Sequence, residues 1–267
     1  MIILKSEEEI KGMAKAGEIL CKTHLAIARI LKPGLTTMQV NDFAESFMKF
    51  KGASPEQKGY SGFPYALCTS LNDEICHGFP RTDVILKEGD ILSIDNVVNY
   101  KGYLADSCWT YPIGQISEEN QRLLEVTKEA MYKGIDQAID GKRLGDIGHA
   151  IQTHAEENGF SVVRDFVGHG IGKEMHEDPQ VLHYGEAGKG RRLVENMVIT
   201  IEPMINVGDW KMKLDDNNWV ARTRDGSISA QYEHTLVVRK DKAQILTNQD
   251  DYELDADELR FIDEYKF

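Results

Sequence analysis

Two stretches of the chain, LKEGDILSID (Leu86 to Asp95) and LVENMVITIE (Leu193 to Glu202), align without a gap at a separation of 107 residues. Leu86 meets Leu193, Glu88 meets Glu195, and Asp95 meets Glu202. Both are β-rich runs that close on a carboxylate. Ahead of each run the same plan recurs. Ser6 followed by Glu7 to Glu9 reads as a helix start, and apolar residues then repeat at helical spacing from Ile10 to Ile30. Pro33-Gly34 breaks that run, and a second helix is predicted from about Thr37 to Phe50, ending before Gly52. Further on, an amphipathic run covers about Ser117 to Ala138, Asp140-Gly141 breaks it, and a helix from about Leu144 to Asn158 stops at Gly159. Gly34 and Gly141, Gly52 and Gly159, and Val40 and Ile147 are again 107 apart. A helix–helix–strand unit that occurs twice implies an α+β fold with internal pseudo-twofold symmetry. The expected layout is a single domain over residues 1–267. Its halves would cover about 5–110 and 112–240, followed by an acidic tail from about 249.

A pseudo-twofold axis would bring the two strand ends together, and with them Asp95 and Glu202. Asp106, in GYLADSCWTY, follows Asp95 by eleven residues, which suits the next strand of an antiparallel hairpin. Glu233, in SAQYEHTLVV, is its natural counterpart in the second half, with Trp210 to Asp225 as extra sequence. Four carboxylates crowded on buried strands cannot all stay ionised without cations. Two divalent ions would neutralise them, and one histidine would complete an oxygen-dominated site. Such ligands suit Mn(II), Fe(II) or Co(II), and Zn(II) is also compatible. A closed structural zinc site would instead favour thiolates. The four cysteines, Cys21, Cys68, Cys76 and Cys108, form no CxxC pair.

The segment FVGHGIGKEMHEDPQVLHYG places His169, His176 and His183 seven residues apart. Gly168, Gly170, Gly172 and Pro179 argue against one helix carrying all three. GHGIGK lacks the spacing and the Ser/Thr of a phosphate loop. The glycines are expected to let the backbone pass close to a metal centre, and His183 to be an ordinary packed histidine. Cys76 and His77, as strand neighbours, are expected on opposite faces. Asp250 to Glu258 lacks the glycine of a calcium loop. It reads as a solvated tail, with Leu259 to Phe267 able to dock as a helix.

The formal charge of −13 argues against nucleic acid or an anionic membrane as the main partner, because both reward positive charge. No apolar run is long enough to span a bilayer. The start, MIILKSEEEIKGM, is unlike a secretory signal, so a cytoplasmic protein is expected.

The motifs SLNDEICHGFP, SIDN with ADSCW, FVGHGIG with MHEDP, TIEPM and SAQYEHT resemble, in order, those of type I methionine aminopeptidases over about residues 3–240. The resemblance implies the pita-bread fold, a curved antiparallel sheet flanked by helices. It implies removal of the initiator methionine from nascent polypeptides with a small second residue, through water or hydroxide shared by two divalent ions. The implied ligands are Asp95, Asp106, His169, Glu202 and Glu233. Asp106 and Glu233 would bridge, Asp95 would hold one ion, and His169 with Glu202 the other. Glu202 would also move the proton, and His77 and His176 would touch the substrate. Tyr60, Phe63, Cys68, His77, Met175 and Trp219 would line the methionine pocket. Expected partners are N-terminal methionyl peptides and nascent chains, with room for transient ribosome association, although the acidic surface disfavours a purely electrostatic dock. The chain is expected to act as a monomer and to look like the bacterial form, without a zinc-finger extension. Asn96, Met175 and Phe63 depart from the usual residues at positions that bear on the methionine pocket. Prolidases and aminopeptidase P share the fold and the ligands, and a binding protein that has lost catalysis is a further alternative.

Overall fold

The computed structural model describes residues 1–267. Five α-helices form: α1 (Glu7–Ile30), α2 (Thr37–Phe50), α3 (Glu118–Ile135), α4 (Leu144–Glu157) and α5 (Ala256–Glu264). Local chemistry fixes where they begin. The Ser6 hydroxyl accepts the Glu9 N–H at 3.2 Å, and the Glu9 carboxylate accepts the Ser6 N–H at 2.8 Å. Thr36 and Gln39 make the same reciprocal pair at 3.1 and 2.9 Å. Each box satisfies two donors that the first turn leaves free.

The duplication extends to hydrogen bonds. Helices α2 and α4 begin and end 107 residues apart. Gly34 (φ +97) and Gly141 (φ +89) both adopt the left-handed backbone that glycine enters without strain. The Gly34 N–H donates to Leu86 O at 2.8 Å, and the Gly141 N–H donates to Leu193 O at 3.0 Å. The isolated bridges Thr36–Ile85 and Arg143–Arg192 repeat at the same separation. Each half also has its own core. One apolar cluster runs from Ala16 to Ile113, while another runs from Leu123 to Ala243 and borrows Ile91 from the first half. A smaller cluster joins them, with Ile10, Met13, Val97 and Leu104 packed with Ile171, Val198 and Val237.

The sheets place the acids. Ile91–Tyr100 and Tyr103–Pro112 form a long hairpin closed by Lys101-Gly102, both at positive φ, as a two-residue turn requires. Asp95 lies opposite Cys108 and Asp106 opposite Val97, so the two acids share a face on a diagonal. In the second half Val198–Ile201 pairs with His234–Val237, and Met204–Asn206 continues against Ser229–Gln231 in the same register. Glu202 and Glu233 fall opposite each other in the gap between the two ladders. The expected match of Asp106 with Glu233 therefore holds for the strand but not for the position along it. The extra sequence folds as a hairpin, Met212–Leu214 with Ala221–Thr223, whose second strand pairs with Glu74–Cys76.

The C-terminal segment is not a solvated tail. α5 starts at Ala256, capped by the Asp255 carboxylate, and ends at Glu264 rather than continuing to Phe267. It packs Phe261 against Phe47 and Tyr265 against Phe43, with ring centroids 5.6 and 5.0 Å apart. Glu258 is fully buried and pairs with Lys51 and, at 3.0 Å, with Lys22. No helix is long and apolar enough to cross a membrane.

Candidate metal centre

The structure brings the five expected ligands into one cavity of about 570 Å³. Asp106, Glu202 and Glu233 are buried, His169 is 9% exposed, and Asp95 is half-buried. Ligand atoms of Asp106, His169 and Glu233 lie within 4.8 Å of one another. His169 Nε2 is 3.4 Å from Glu202 Oε1 and 3.7 Å from Asp106 Oδ2. The imidazole tautomer follows from its other nitrogen. Nδ1 is 3.0 Å from the Gly170 carbonyl, which can only accept, so Nδ1 carries the proton. Burial, followed by the neighbouring His176, lowers the His169 pKa to about 4, so the ring is neutral. Its Nε2 lone pair is then aimed at two carboxylates, an arrangement of electron-pair donors that a cation would satisfy.

The acids give the same answer. Burial raises all four pKa values, those of Asp95 to about 7 and Glu202 to about 8. Asp106 and Glu233 rise well above the carboxylate range, pushed first by burial and then by neighbouring acids. Asp106 Oδ1 and Glu233 Oε1 are buried without any hydrogen-bond partner. Unpaired buried carboxylate oxygens are expensive. The donor set, four carboxylates and a neutral imidazole, fits hard or borderline divalent ions, so the residues present fit the metal group that the motifs imply.

A supporting layer went unread in the sequence. Gln57 Nε2 donates to Asp95 Oδ1 at 3.1 Å, and Gln57 Oε1 accepts the Val97 N–H at 3.3 Å. The Thr200 hydroxyl donates to Glu202 Oε1 at 2.8 Å and accepts the His169 N–H at 3.0 Å. Thr235 clasps the Asp106 backbone, accepting its N–H at 3.0 Å and donating to its carbonyl at 2.8 Å. His183 is buried, as expected, yet its Nε2 also accepts the Glu202 N–H at 3.1 Å. The threonines carried one legible signal, since each lies two residues from a carboxylate on a strand and so shares its face. The glycines serve close approach. A Cβ on Gly170 would lie 2.1 Å from Asp178 O.

The residues expected in the methionine pocket border the same cavity. Phe63, Trp219, Met175, Cys68 and Tyr60 form its walls, with Phe63 and Trp219 centroids 5.4 Å apart. His176 Nδ1 lies 2.9 Å from the Tyr60 hydroxyl. His77 packs edge-on to Phe166 and Trp219. Burial, then His176, lowers the His77 pKa to about 4. One expectation fails here. Cys76 and His77 both border the cavity, because His77 leaves the strand at φ +57 and breaks the alternation. Asn96 is fully buried and does not line the cavity; on the strand it points away from Asp95.

Comparison with known proteins shows the family and the fold. Residues 11–240 match the model of metallopeptidase family M24. The chain is 47% identical over 247 residues to the methionine aminopeptidase of Clostridium acetobutylicum, covering 92% of this chain and 99% of that protein. Methionine aminopeptidase 1 of Bacillus subtilis is similar to the same degree over the same shares. The crystal structure of methionine aminopeptidase from Rickettsia prowazekii superposes with a TM-score of 0.91 at 42% identity, covering 93% of this chain and 100% of that one. The prolidase from Pyrococcus furiosus superposes less closely, with a TM-score of 0.75 at 26% identity, covering 92% of this chain and 65% of that one. The chain belongs to metallopeptidase family M24 and groups by sequence with its methionine aminopeptidases rather than with its prolidases.

Proposed function

We propose that the chain removes the N-terminal methionine from new polypeptides whose second residue is small. The observation that carries this reading is one cavity in which an acid quartet with a neutral histidine adjoins an aromatic and thioether wall. Asp95, Asp106, His169, Glu202 and Glu233 would hold two divalent ions, with Mn(II), Fe(II) or Co(II) favoured by the ligands and Zn(II) compatible. Asp106 and Glu233, whose free oxygens face no protein donor, would be the shared ligands. When bound, such ions supply the positive charge that lets the acids ionise, and the Lewis acidity that makes water nucleophilic near neutral pH.

The protein groups supply the rest. Phe63, Trp219, Met175 and Cys68 offer an unbranched thioether side chain favourable, adaptable contacts. The Tyr60 hydroxyl lies 2.9 Å from His176 Nδ1 and, by donating to it, would leave Nε2–H as a donor for the oxygen that gains charge at the scissile carbonyl. Partial desolvation lowers the His176 pKa, which favours the neutral ring. His77 would hydrogen-bond the substrate amide. Glu202 takes the proton of the attacking water and delivers it to the leaving nitrogen. The enzyme is read as a cytoplasmic monomer acting on nascent chains. Hydrolysis of Met-Ala-Ser against Ala-Pro and Met-Pro peptides tests the assignment. Turnover of Met-Ala-Ser alone is expected. Preferential cleavage before proline would replace this reading with a prolidase-like one.

A further inference from the structure

The turn that carries His176 is held by Glu177, which borders the cavity, and behind it by Lys5, which does not. Within it the Gly172 N–H donates to Glu174 O at 3.1 Å. The N–H groups of Lys173 and Glu174 donate to Glu177 Oε1 at 2.9 and 3.3 Å. The other carboxylate oxygen, Oε2, accepts from Lys5 Nζ at 2.5 Å. Both partners are withdrawn from water, with Lys5 5% and Glu177 9% exposed. Lys5 is anchored in turn, since its N–H donates to Asn196 O at 3.0 Å, just before the cap of α1. The ammonium lies directly on the turn: a Cβ on Gly172 would sit 2.4 Å from Lys5 Nζ and 2.7 Å from Glu177 Oε1. His176 itself is exposed and tethered through Tyr60, so its direction depends on the backbone beneath it.

We propose that Lys5 is a positioning residue for the reaction. Through Glu177 it fixes the turn 172–176 and with it the His176 ring, which stands 4.4 Å from the His169 ring, centroid to centroid. Lys5 does not line the cavity and acts only through that turn. A buried ion pair is weak evidence of stabilisation, because desolvation offsets much of its attraction. Holding a catalytic donor in register is a use that such a pair serves well, since small misplacements of reacting groups cost large factors in rate. The inference rests on the reading of His176 as a substrate donor.

A double-mutant cycle tests it, with Lys5→Met measured in the wild-type and His176→Ala backgrounds on Met-Ala-Ser in metal-loaded protein. Wild-type turnover and its fall in His176→Ala test the reading of the site. The factor due to Lys5 tests the proposal. In the wild-type background Lys5→Met is expected to lower kcat about tenfold or more while KM stays within about threefold. In the His176→Ala background it is expected to cost less than about threefold, since the group it positions is gone. The same factor in both backgrounds, or kcat within about twofold of wild type, would overturn the proposal. Should Lys5→Met fail to fold, the pair Lys5→Met with Glu177→Gln, which leaves no unpaired buried charge, is read in the same cycle with the same two outcomes.

Discussion

At the scale of single residues, the centre depends on neighbours that never touch a substrate. Gln57 is the clearest case. Its amide is the protein donor on Asp95 Oδ1, and it is buried against the strand that carries that acid. Such outer partners orient ligands and set their basicity. Gln57→Leu should therefore weaken binding of the ion held by Asp95 by roughly 10- to 100-fold while leaving the fold intact, as a metal titration followed by calorimetry would read. Unchanged affinity would remove Gln57 from that role. The four acids were legible in the sequence because they sit on strands of a repeated unit, whereas His169 was legible as a ligand only through the resemblance of its motif. Gln57 was not, because the loop that delivers it has no periodicity, and its partner lies 38 residues away. His183 was legible only as a buried histidine, since nothing in its neighbours announces a bond to the Glu202 backbone.

At the scale of elements, helix boundaries followed from capping chemistry and matched closely, but registers did not. Symmetry predicted equivalent acid pairs. The pairs differ in position: Glu202 and Glu233 lie directly opposite each other, whereas Asp106 lies opposite Val97, two residues along from Asp95, and the break in the ladder at Glu202-Pro203, where proline has no N–H to give, leaves the register unchanged. The C-terminal helix was half legible. Leu259 to Phe267 was readable as a helix able to dock, but the acid-rich composition hid Glu258, which is buried beside Lys22 and Lys51. Burial alone would raise the Glu258 pKa; hydrogen bonds from Lys51, the Asp255 N–H and Lys22 outweigh it and hold the value below its ordinary 4.5. A depressed carboxylate contributes stability that is fully present above its unfolded pKa and is lost as pH falls through the folded one. The docking of α5 should thus persist at neutral pH and weaken below about pH 4.5. Glu258→Leu should lower stability at pH 7 by about 1–3 kcal/mol and flatten the acid limb of the pH–stability curve. An unaltered acid limb would show that the helix is held by Phe261 and Tyr265 alone.

At the scale of the whole molecule, two halves with separate cores meet at one set of charges. Each contributes two acids, and neither half can neutralise its own. Burying four carboxylates together makes sense only if cations bind across the seam, which also ties the halves to each other. Bound metal should therefore stabilise the fold as well as enable the reaction, by about 2.7 kcal/mol when free metal is a hundred times its dissociation constant. The most direct test is to strip the protein with chelator under anaerobic conditions, then add Mn(II) while following bound metal, thermal midpoint and Met-Ala-Ser hydrolysis on the same samples. The expected result is silent metal-free protein, uptake of up to two ions per chain, and a rise in midpoint and turnover that tracks occupancy. Metal-free protein that melts at the same temperature and cleaves the peptide at the full rate would contradict the account.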